Sequence, residues 1–434
     1  MTTVATAPMP PSLWAATAID SLPHPELEGA RDVDLAIVGG GFSGLSAALF
    51  ARRFGLSVAL LEAAEIGWGA SGRNNGQIIP TLSKRDPGDL VARFGAERGE
   101  RAIAMIRDSA TLLFDLVREE GIACAAEQTG WIQPAHSPGR FAISRRRHEA
   151  WGSRGAPVEL YSRQDLAAIL GSDAWHGGWG NRTGGHVNPL SLARGLAAAL
   201  VRRGGEVYVR SPALSLAHER GAWVVRTTRG HVRAARLVLA TAAYTGDLWP
   251  HLARTVIPVL SWQVATAPLG DNLRCAILPG RQAVSDTRGD LGFFRFDSQH
   301  RLVTGSTTLW PHGDAGSRLA ERAGARLGSW FPALAGIAIR HVWNGRLAVT
   351  QDFVPHVHRL GESAFTWLGC NGRGVALSMA MGRELARLAA GAPAEDIAWP
   401  LAPITPIPWH GFARRFGPPL ALLAYRRADR REIG

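Results

Sequence analysis

A chain of 434 residues with 46% hydrophobic content is long enough for two or three domains around a substantial core. Its formal charge of +12 raises the question of nucleic acid, but the basic residues are scattered, and the densest groups, "SRRRH" at 144–148 and "YRRADRR" at 425–431, read as solvated helix faces. Three widely spaced cysteines without a CxxC (Cys124, Cys275, Cys370) argue against a disulfide framework and a zinc site. The expectation is no nucleic-acid partner and no metal; with no secretory pattern and no long uncharged apolar run, a cytoplasmic protein without a membrane span is expected.

Residues 33–62, "VDLAIVGGGFSGLSAALFARRFGLSVALLE", carry the first organised signal. An apolar run, Leu35 to Val38, enters a Gly-rich turn. A helical pattern follows through Leu45, Ala48, Leu49 and Phe54, Gly55 stops it, and a second apolar run, Val58 to Leu61, ends at Glu62. This is a βαβ unit with G-x-G-x-x-G at its first turn. Gly39, Gly41 and Gly44, with Phe42 and Ser43 between them, permit a tight turn, close helix packing and the approach of a pyrophosphate to backbone N–H groups. Glu62, followed by Ala63, closes the second strand where a carboxylate accepts hydrogen bonds from a ribose diol.

FAD and NAD share this unit. A nicotinamide dehydrogenase continues with further βα units, whereas this chain passes directly into "AAEIGWGASGRNNGQ" at 63–77. Backbone N–H groups and short polar side chains here, with Ser71, Asn74 and Gly76 among them, suit the ribityl chain and isoalloxazine of FAD, and Arg73 brings positive charge to a ring or phosphate. A flexible surface loop is the plainer alternative.

Farther along, Leu90, Val91, Phe94, Ile103, Ile106, Leu113, Phe114 and Val117 make one long helical pattern opened by Pro87 and Asp89. Lys84, the single lysine of the chain, is expected to face solvent ahead of it. Pro189 starts a helix that Gly204-Gly205 end before a strand, and the stretch 256–344 holds short strand patterns such as "GFFRF" and "RLVTGST". Near the C-terminus a strand-like "FTWLG" meets Asn371-Gly372-Arg373-Gly374 and then an apolar helix that begins with Val375. Gly372 and Gly374 let backbone approach a ring, the helix N-terminus supplies partial positive charge for the N1/C2-carbonyl side of a flavin, and Arg373 either reinforces it or points to solvent.

These segments together resemble the FAD-dependent amine and amino-acid oxidoreductases of the D-amino-acid oxidase superfamily. The run from Val33 to Gln77 carries the likeness most specifically, and "GWGASGRNNGQ" resembles the gamma-glutamylputrescine oxidase branch. Segments 184–209, 236–252 and 368–391 extend it over most of the chain. The resemblance implies an α/β, Rossmann-type FAD-binding domain built from residues 31–88, 186–255 and 345–395. It also implies an α+β, antiparallel-sheet substrate domain from 89–185 and 256–344, with arms at 1–30 and 396–434. FAD is expected without a covalent bond, because the cysteine used by sarcosine-oxidase relatives would fall in "HVWNGRLAVT", where none stands.

The implied reaction oxidises a C–N bond of an amine or amino acid by hydride transfer to flavin, giving an imine that hydrolyses, with oxygen or another acceptor taking the electrons. No acid–base pair is compulsory, in keeping with the lack of a Ser-His-Asp or paired-carboxylate constellation. Around the substrate, Arg295 in "GFFRF" sits on a strand whose counterparts face the cleft, as a carboxylate ligand or else a structural arginine. His186 stands where the branch has His-x-His, with Asn188 as a departure, and is either functional or a packing residue. Arg346 replaces a small residue of the branch and either alters substrate choice or points outward. Trp175, Trp179 and Trp262 are candidates for a pocket wall. Gamma-glutamylputrescine, N-alkyl amino acids such as sarcosine and cyclic ones such as pipecolate are the candidate substrates. A non-catalytic flavin-binding subunit of a larger dehydrogenase is the alternative of another class, whereas a second fingerprint for NAD(P)H is absent.

Overall fold

The run Leu35-Ala36-Ile37-Val38 is buried on both sides, as a central parallel strand requires. Its alternate residues split between two cores: Leu35 and Ile37 face one, Ala36 and Val38 the other. The computed structural model describes residues 7–306 and 315–433. From the N-terminus it runs α1 (Leu13–Thr17), β1 (Gly29–Val38), α2 (Phe42–Arg53), β2 (Val58–Leu61), β3 (Gln77–Ile78), α3 (Pro87–Phe94) and α4 (Ala96–Glu119). There follow β4 (Trp131–Pro134), α5 (Pro138–Gly152), β5 (Val158–Tyr161), α6 (Arg163–Leu170), β6 (Gly178–Asn181), β7 (Gly185–His186) and α7 (Pro189–Arg202). Then come β8 (Glu206–Tyr208), β9 (Ser215–Glu219), β10 (Ala222–Arg226), β11 (Gly230–Leu239), β12 (Ile257–Pro268) and α8 (Asp271–Ala276). The last part is β13 (Ala283–Ser285), β14 (Phe293–Phe296), β15 (Arg301–Ser306), α9 (Ala315–Trp330), β16 (Ile339–Val349), β17 (His356–Gly361), β18 (Ala364–Leu368), α10 (Gly374–Ala389) and α11 (His410–Ile433).

Two eight-stranded sheets divide this chain. The first has the order β17-β18-β11-β1-β2-β8, with β10 and β9 attached to β11; its β18-β11-β1-β2-β8 stretch is parallel, the Rossmann arrangement expected from the βαβ motif. The second has the order β16-β12-β15-β14-β13-β4-β6-β5 and is antiparallel except for the β13–β4 pair. The chain passes between them four times, from β2 to β4, β6 to β8, β11 to β12, and β16 to β17. A short β3–β7 ladder bridges the crossings, pairing Gln77 with His186.

Helix α10 lies against α2 so closely that a Cβ on Gly382 would stand 2.6 Å from the Ser46 Cβ. Ser46 Oγ donates to the Met379 carbonyl across this contact, at 2.8 Å. Helices α2, α4, α7 and α10 bury the larger core against the first sheet, while α6 and α9 cover the second through Leu166, Leu170, Leu327 and Trp330.

Three elements depart from the sequence reading. The long helical pattern after residue 86 is two helices, because Gly95 takes φ +80° between α3 and α4. Strand β16 carries residues 345–349 into the second sheet, past the expected boundary at 345, since it pairs with β12 along almost its whole length. The C-terminal arm, expected at 396–434, is mostly the long helix α11, with Pro418 and Pro419 inside it.

Candidate active site

The Gly-rich turn is shaped by contacts that leave no room for side chains. A Cβ on Gly39, which has φ +117°, would stand 2.6 Å from the Ala240 carbonyl oxygen; one on Gly41 would stand 2.9 Å from Ser71 Oγ, and one on Gly44 would strike the Gly39 carbonyl. Leu45 is the first residue of α2 whose N–H returns to a carbonyl, that of Gly41, so the N–H groups of Ser43 and Gly44 open the helix free of that ladder. Phe42 N–H donates to Ser71 Oγ at 3.0 Å, which ties the turn to the following loop. Ser43 Oγ is taken by Trp367 Nε1 at 2.8 Å.

At the end of β2, Glu62 accepts the Gly40 N–H at 2.7 Å and the Ala64 N–H at 2.9 Å, and burial pushes its carboxyl pKa up. Two bonds use about half of a carboxylate's acceptor capacity. With Ala63 partly exposed beside it, the group keeps lone pairs for a diol. Exposed first-turn N–H groups, a glycine cradle and a half-satisfied strand-end carboxylate are the donor and acceptor set that an adenine dinucleotide needs. The residues fit FAD.

The loop at 67–77 is not a flexible surface segment. Three consecutive carbonyls, those of Arg73, Asn74 and Asn75, accept hydrogen bonds from Trp343 Nε1 (2.9 Å), Trp14 Nε1 (2.8 Å) and Arg295 Nε (2.8 Å). The three donors come from β16, α1 and β14, and they touch one another: Trp14 and Trp343 meet edge to face at 5.7 Å, and the Arg295 guanidinium lies 4.7 Å from the Trp14 ring. Asn74 closes the turn from within, accepting the Gly76 N–H at 2.7 Å and donating to the Ser71 carbonyl at 2.8 Å. Gly76 has φ +84°, and a Cβ there would strike the Val187 carbonyl. Gln77 donates to the carbonyls of Val284 and Phe294, so the loop is bolted to the second sheet. Sequence reasoning missed Trp14 and Trp343 entirely; their partners lie 60 and 270 residues away.

Arg73 is buried, with its guanidinium 4.7 Å from the Trp68 ring and donating to Tyr244 Oη at 2.9 Å; no carboxylate among the described residues pairs with it, and burial lowers its pKa. Near it, three buried polar atoms lack a hydrogen-bond partner among the described residues: Asn75 Oδ1, Trp262 Nε1 and Ser306 Oγ. Trp262 and Ser306 face each other across β12 and β15, and Asn75 donates to Gln263 next to Trp262. Orphaned polar atoms of this kind, gathered on the neighbouring strands β12 and β15 and the loop beside them, suit a place that receives a ligand.

The C-terminal turn completes the constellation. Asn371 Oδ1 accepts the Thr350 N–H at 2.9 Å and holds the turn on the end of β16, and Gly372, at φ +83°, has nothing within 4 Å of a Cβ position. Gly374 and Val375 open α10 without a side-chain cap. Arg373 is not at the surface: it is 7% exposed, lies 5.1 Å from the Trp131 ring of the second sheet, and donates at 3.3 Å to Ser285 Oγ. Burial, and then the like charge of Arg147, lower its pKa. Lys84 is exposed along its stem, as expected, but it leans over the Tyr425 ring at 4.5 Å, and desolvation of its ammonium, then the like charges of Arg140, Arg147 and Arg373, depress its pKa.

The three residues expected at the substrate are placed differently. Arg295 is 2% exposed and all three of its nitrogens donate to backbone carbonyls, those of Asn75, Phe296 and Val187, so it clamps the loop and presents no open fork to a carboxylate. His186 is buried in β7; its Nε2 meets the Arg281 carbonyl at 2.9 Å, and burial, then Arg295, hold its pKa well below the ordinary value, so it is a neutral ring whose Nδ1 lacks a partner. Arg346 is exposed on β16, with its backbone N–H on Tyr244 Oη. Trp175 packs among Phe294, Trp330 and Phe331, and Trp179 against Trp131, which makes both core residues. Trp175 and Trp262 both have an N–H without a partner among the described residues, but of the three only Trp262 is half-buried.

Comparison with known proteins agrees with this geometry. Residues 34–388 match a family described as FAD dependent oxidoreductase, DAO. The chain is 30% identical to gamma-glutamylputrescine oxidoreductase of Escherichia coli (strain K12) over 88% of its length and 89% of that protein's. It is also 30% identical to the probable oxidoreductase OrdL of Rhizobium meliloti over 87% and 88%. Among solved structures, glycine oxidase from Geobacillus kaustophilus superposes with a TM-score of 0.73 at 22% identity, over 87% of this chain and 99% of that one. L-amino acid deaminase from Proteus vulgaris superposes with a TM-score of 0.72 at 17% identity, over 89% and 96%. These two show the fold.

Proposed function

The chain belongs to the family of FAD-dependent oxidoreductases that contains the amine and amino-acid oxidases, and from that premise we propose that it oxidises a C–N bond of an amine that also carries a carboxylate, with a gamma-glutamylputrescine-like compound as the leading candidate. The observation that carries the carboxylate is Arg373, a buried guanidinium without a carboxylate partner among the described residues and with one long bond to a hydroxyl. Buried charges are normally paired, and a cation left over between two sheets calls for an anion from outside. Lys84 adds positive charge on the same side. Bound FAD, held without a covalent bond, supplies the hydride acceptor. The protein's own part is to bind and orient the amine: Arg373 fixes the carboxylate, Trp131 offers a flat apolar wall, and the rigid 73–76 loop keeps its geometry unchanged through turnover. No side chain is assigned as a base. His186, neutral and hydrogen-bonded to a carbonyl, is read as a packing residue.

The test is anaerobic mixing of the yellow holoenzyme with gamma-glutamylputrescine, putrescine, sarcosine and pipecolate while the flavin absorbance is followed. Bleaching is expected with carboxylate-bearing amines, and an Arg373→Gln variant should raise their KM roughly ten- to a hundredfold, the loss of one charge-assisted pair, while putrescine is unaffected. No bleaching with any amine or amino acid would leave a flavin-binding subunit as the better reading. Peroxide release on admitting air decides between oxygen and another acceptor.

A further inference from the structure

The C-terminal helix carries a face that the fold does not use. On α11 and the residue before it, Phe412, Leu420 and Leu423 are exposed, and Trp409 is 86% exposed. With Phe416, which packs on Phe412 at 4.8 Å, their spacing of three and four residues draws one stripe along the helix. Trp409 holds the left-handed region at φ +51°, a strained backbone for a bulky residue, and keeps its indole in solvent. The opposite face of α11 is fully engaged. Leu422 is buried, Tyr425 packs on Gly289, Asp429 accepts the N–H groups of Gly289 and Asp290, and Glu432 pairs with Arg140.

Because the two acids of the helix turn inward, its outward charge is entirely positive. Arg414, Arg415, Arg427, Arg430 and Arg431 are exposed around and beyond the apolar stripe. We propose that this face docks on an anionic bilayer surface, with the aromatic and leucine side chains in the headgroup region and the arginines against lipid phosphates. Arginines flanking a Trp/Phe/Leu stripe suit a helix lying in the interface plane, and no helix among the described residues is long and apolar enough to cross a membrane. A second copy would bring five arginines against five, and a nucleic acid would leave the leucines facing phosphate and sugar. The inference is independent of the substrate reading.

The experiment is co-sedimentation of the full-length holoenzyme with vesicles of phosphatidylcholine alone or mixed with phosphatidylglycerol, at low and high salt. Binding to the mixed vesicles is expected, at least tenfold stronger than to phosphatidylcholine alone and weakened by salt. A Phe412→Ser/Leu420→Ser/Leu423→Ser variant and an Arg427→Glu/Arg430→Glu variant should each lose at least tenfold, with flavin absorbance and melting temperature unchanged. Equal sedimentation with and without anionic vesicles overturns the proposal. So does a triple-serine variant that turns a dimer into a monomer by light scattering without changing vesicle binding, or a DNA gel shift that follows the arginines while vesicle binding does not.

Discussion

Glu62 is a residue whose expected role rests on position alone, because a carboxylate ending the second strand of a Gly-rich βαβ unit has few other uses. The structure adds that it also accepts the Gly40 N–H, so it shapes the turn it serves. A Glu62→Ala variant should bind FAD about ten- to a hundredfold more weakly, by about 1.5 to 3 kcal/mol, while the apoprotein stays folded; titration of apoprotein with FAD measures it, and unchanged affinity would remove Glu62 from the cofactor site. His186 shows the opposite. Its sequence neighbourhood suggested chemistry, but a neutral, buried ring makes it a stability switch. Its pKa is depressed on folding, so the unfolded chain binds the extra proton; stability is complete above the ordinary value of 6.5 and falls as pH drops below it. The His186→Asn variant should therefore lose less stability between pH 7.5 and 5.5 than the wild type, by up to about 1.4 kcal/mol per unit below 6.5, in urea titrations. An unchanged slope would mean that the ring titrates normally. His24, His136, His341 and His358, which burial also depresses, add to the remaining slope, and the raised Glu62 carboxyl works against it.

Among elements, the glycine-rich loop reads as a cofactor loop from its composition, which says nothing of how it is held. Local sequence records that a backbone is permissive; it does not record which distant side chain grips it. Trp14, Trp343 and Arg295 come from three elements that only the tertiary fold brings together, and an arginine on a strand reads the same whether it looks into a cleft or into a core. Replacing Trp14 or Trp343 by Phe keeps the ring and deletes the N–H, so each should cost about 1 kcal/mol. Because they hold adjacent carbonyls and touch each other, the double variant should depart from additivity by at least about 0.5 kcal/mol in urea midpoints. Strict additivity would show that the two grips act separately. The extent of helix α11 is hidden for a different reason: 425–431 reads as a helix face, but two prolines ahead of it look like a break, and the inward contacts of Tyr425, Asp429 and Glu432 that hold it in place are not visible locally.

At the scale of the molecule, the parallel βαβ core and an antiparallel partner sheet followed from motif order and the family resemblance, whereas the boundary near residue 345 shifted because strand pairing with β12 runs on to Val349. With four crossings and a loop bolted to the second sheet and tied through Phe42 to the Gly-rich turn of the first, neither half can let go alone. Flavin release, tryptophan fluorescence and circular dichroism should report one coincident urea transition; two separated steps would mean the halves are independent. The same interleaving bears on synthesis. Strand β11 sits between β1 and β18, and α2 packs on α10, so the earliest-made pieces of the cofactor site wait for partners that end at Ala389. At about 5 to 20 residues per second, the ribosome keeps the Gly-rich turn without its closing helix for roughly 17 to 70 s, so FAD can be captured only by an almost completed chain.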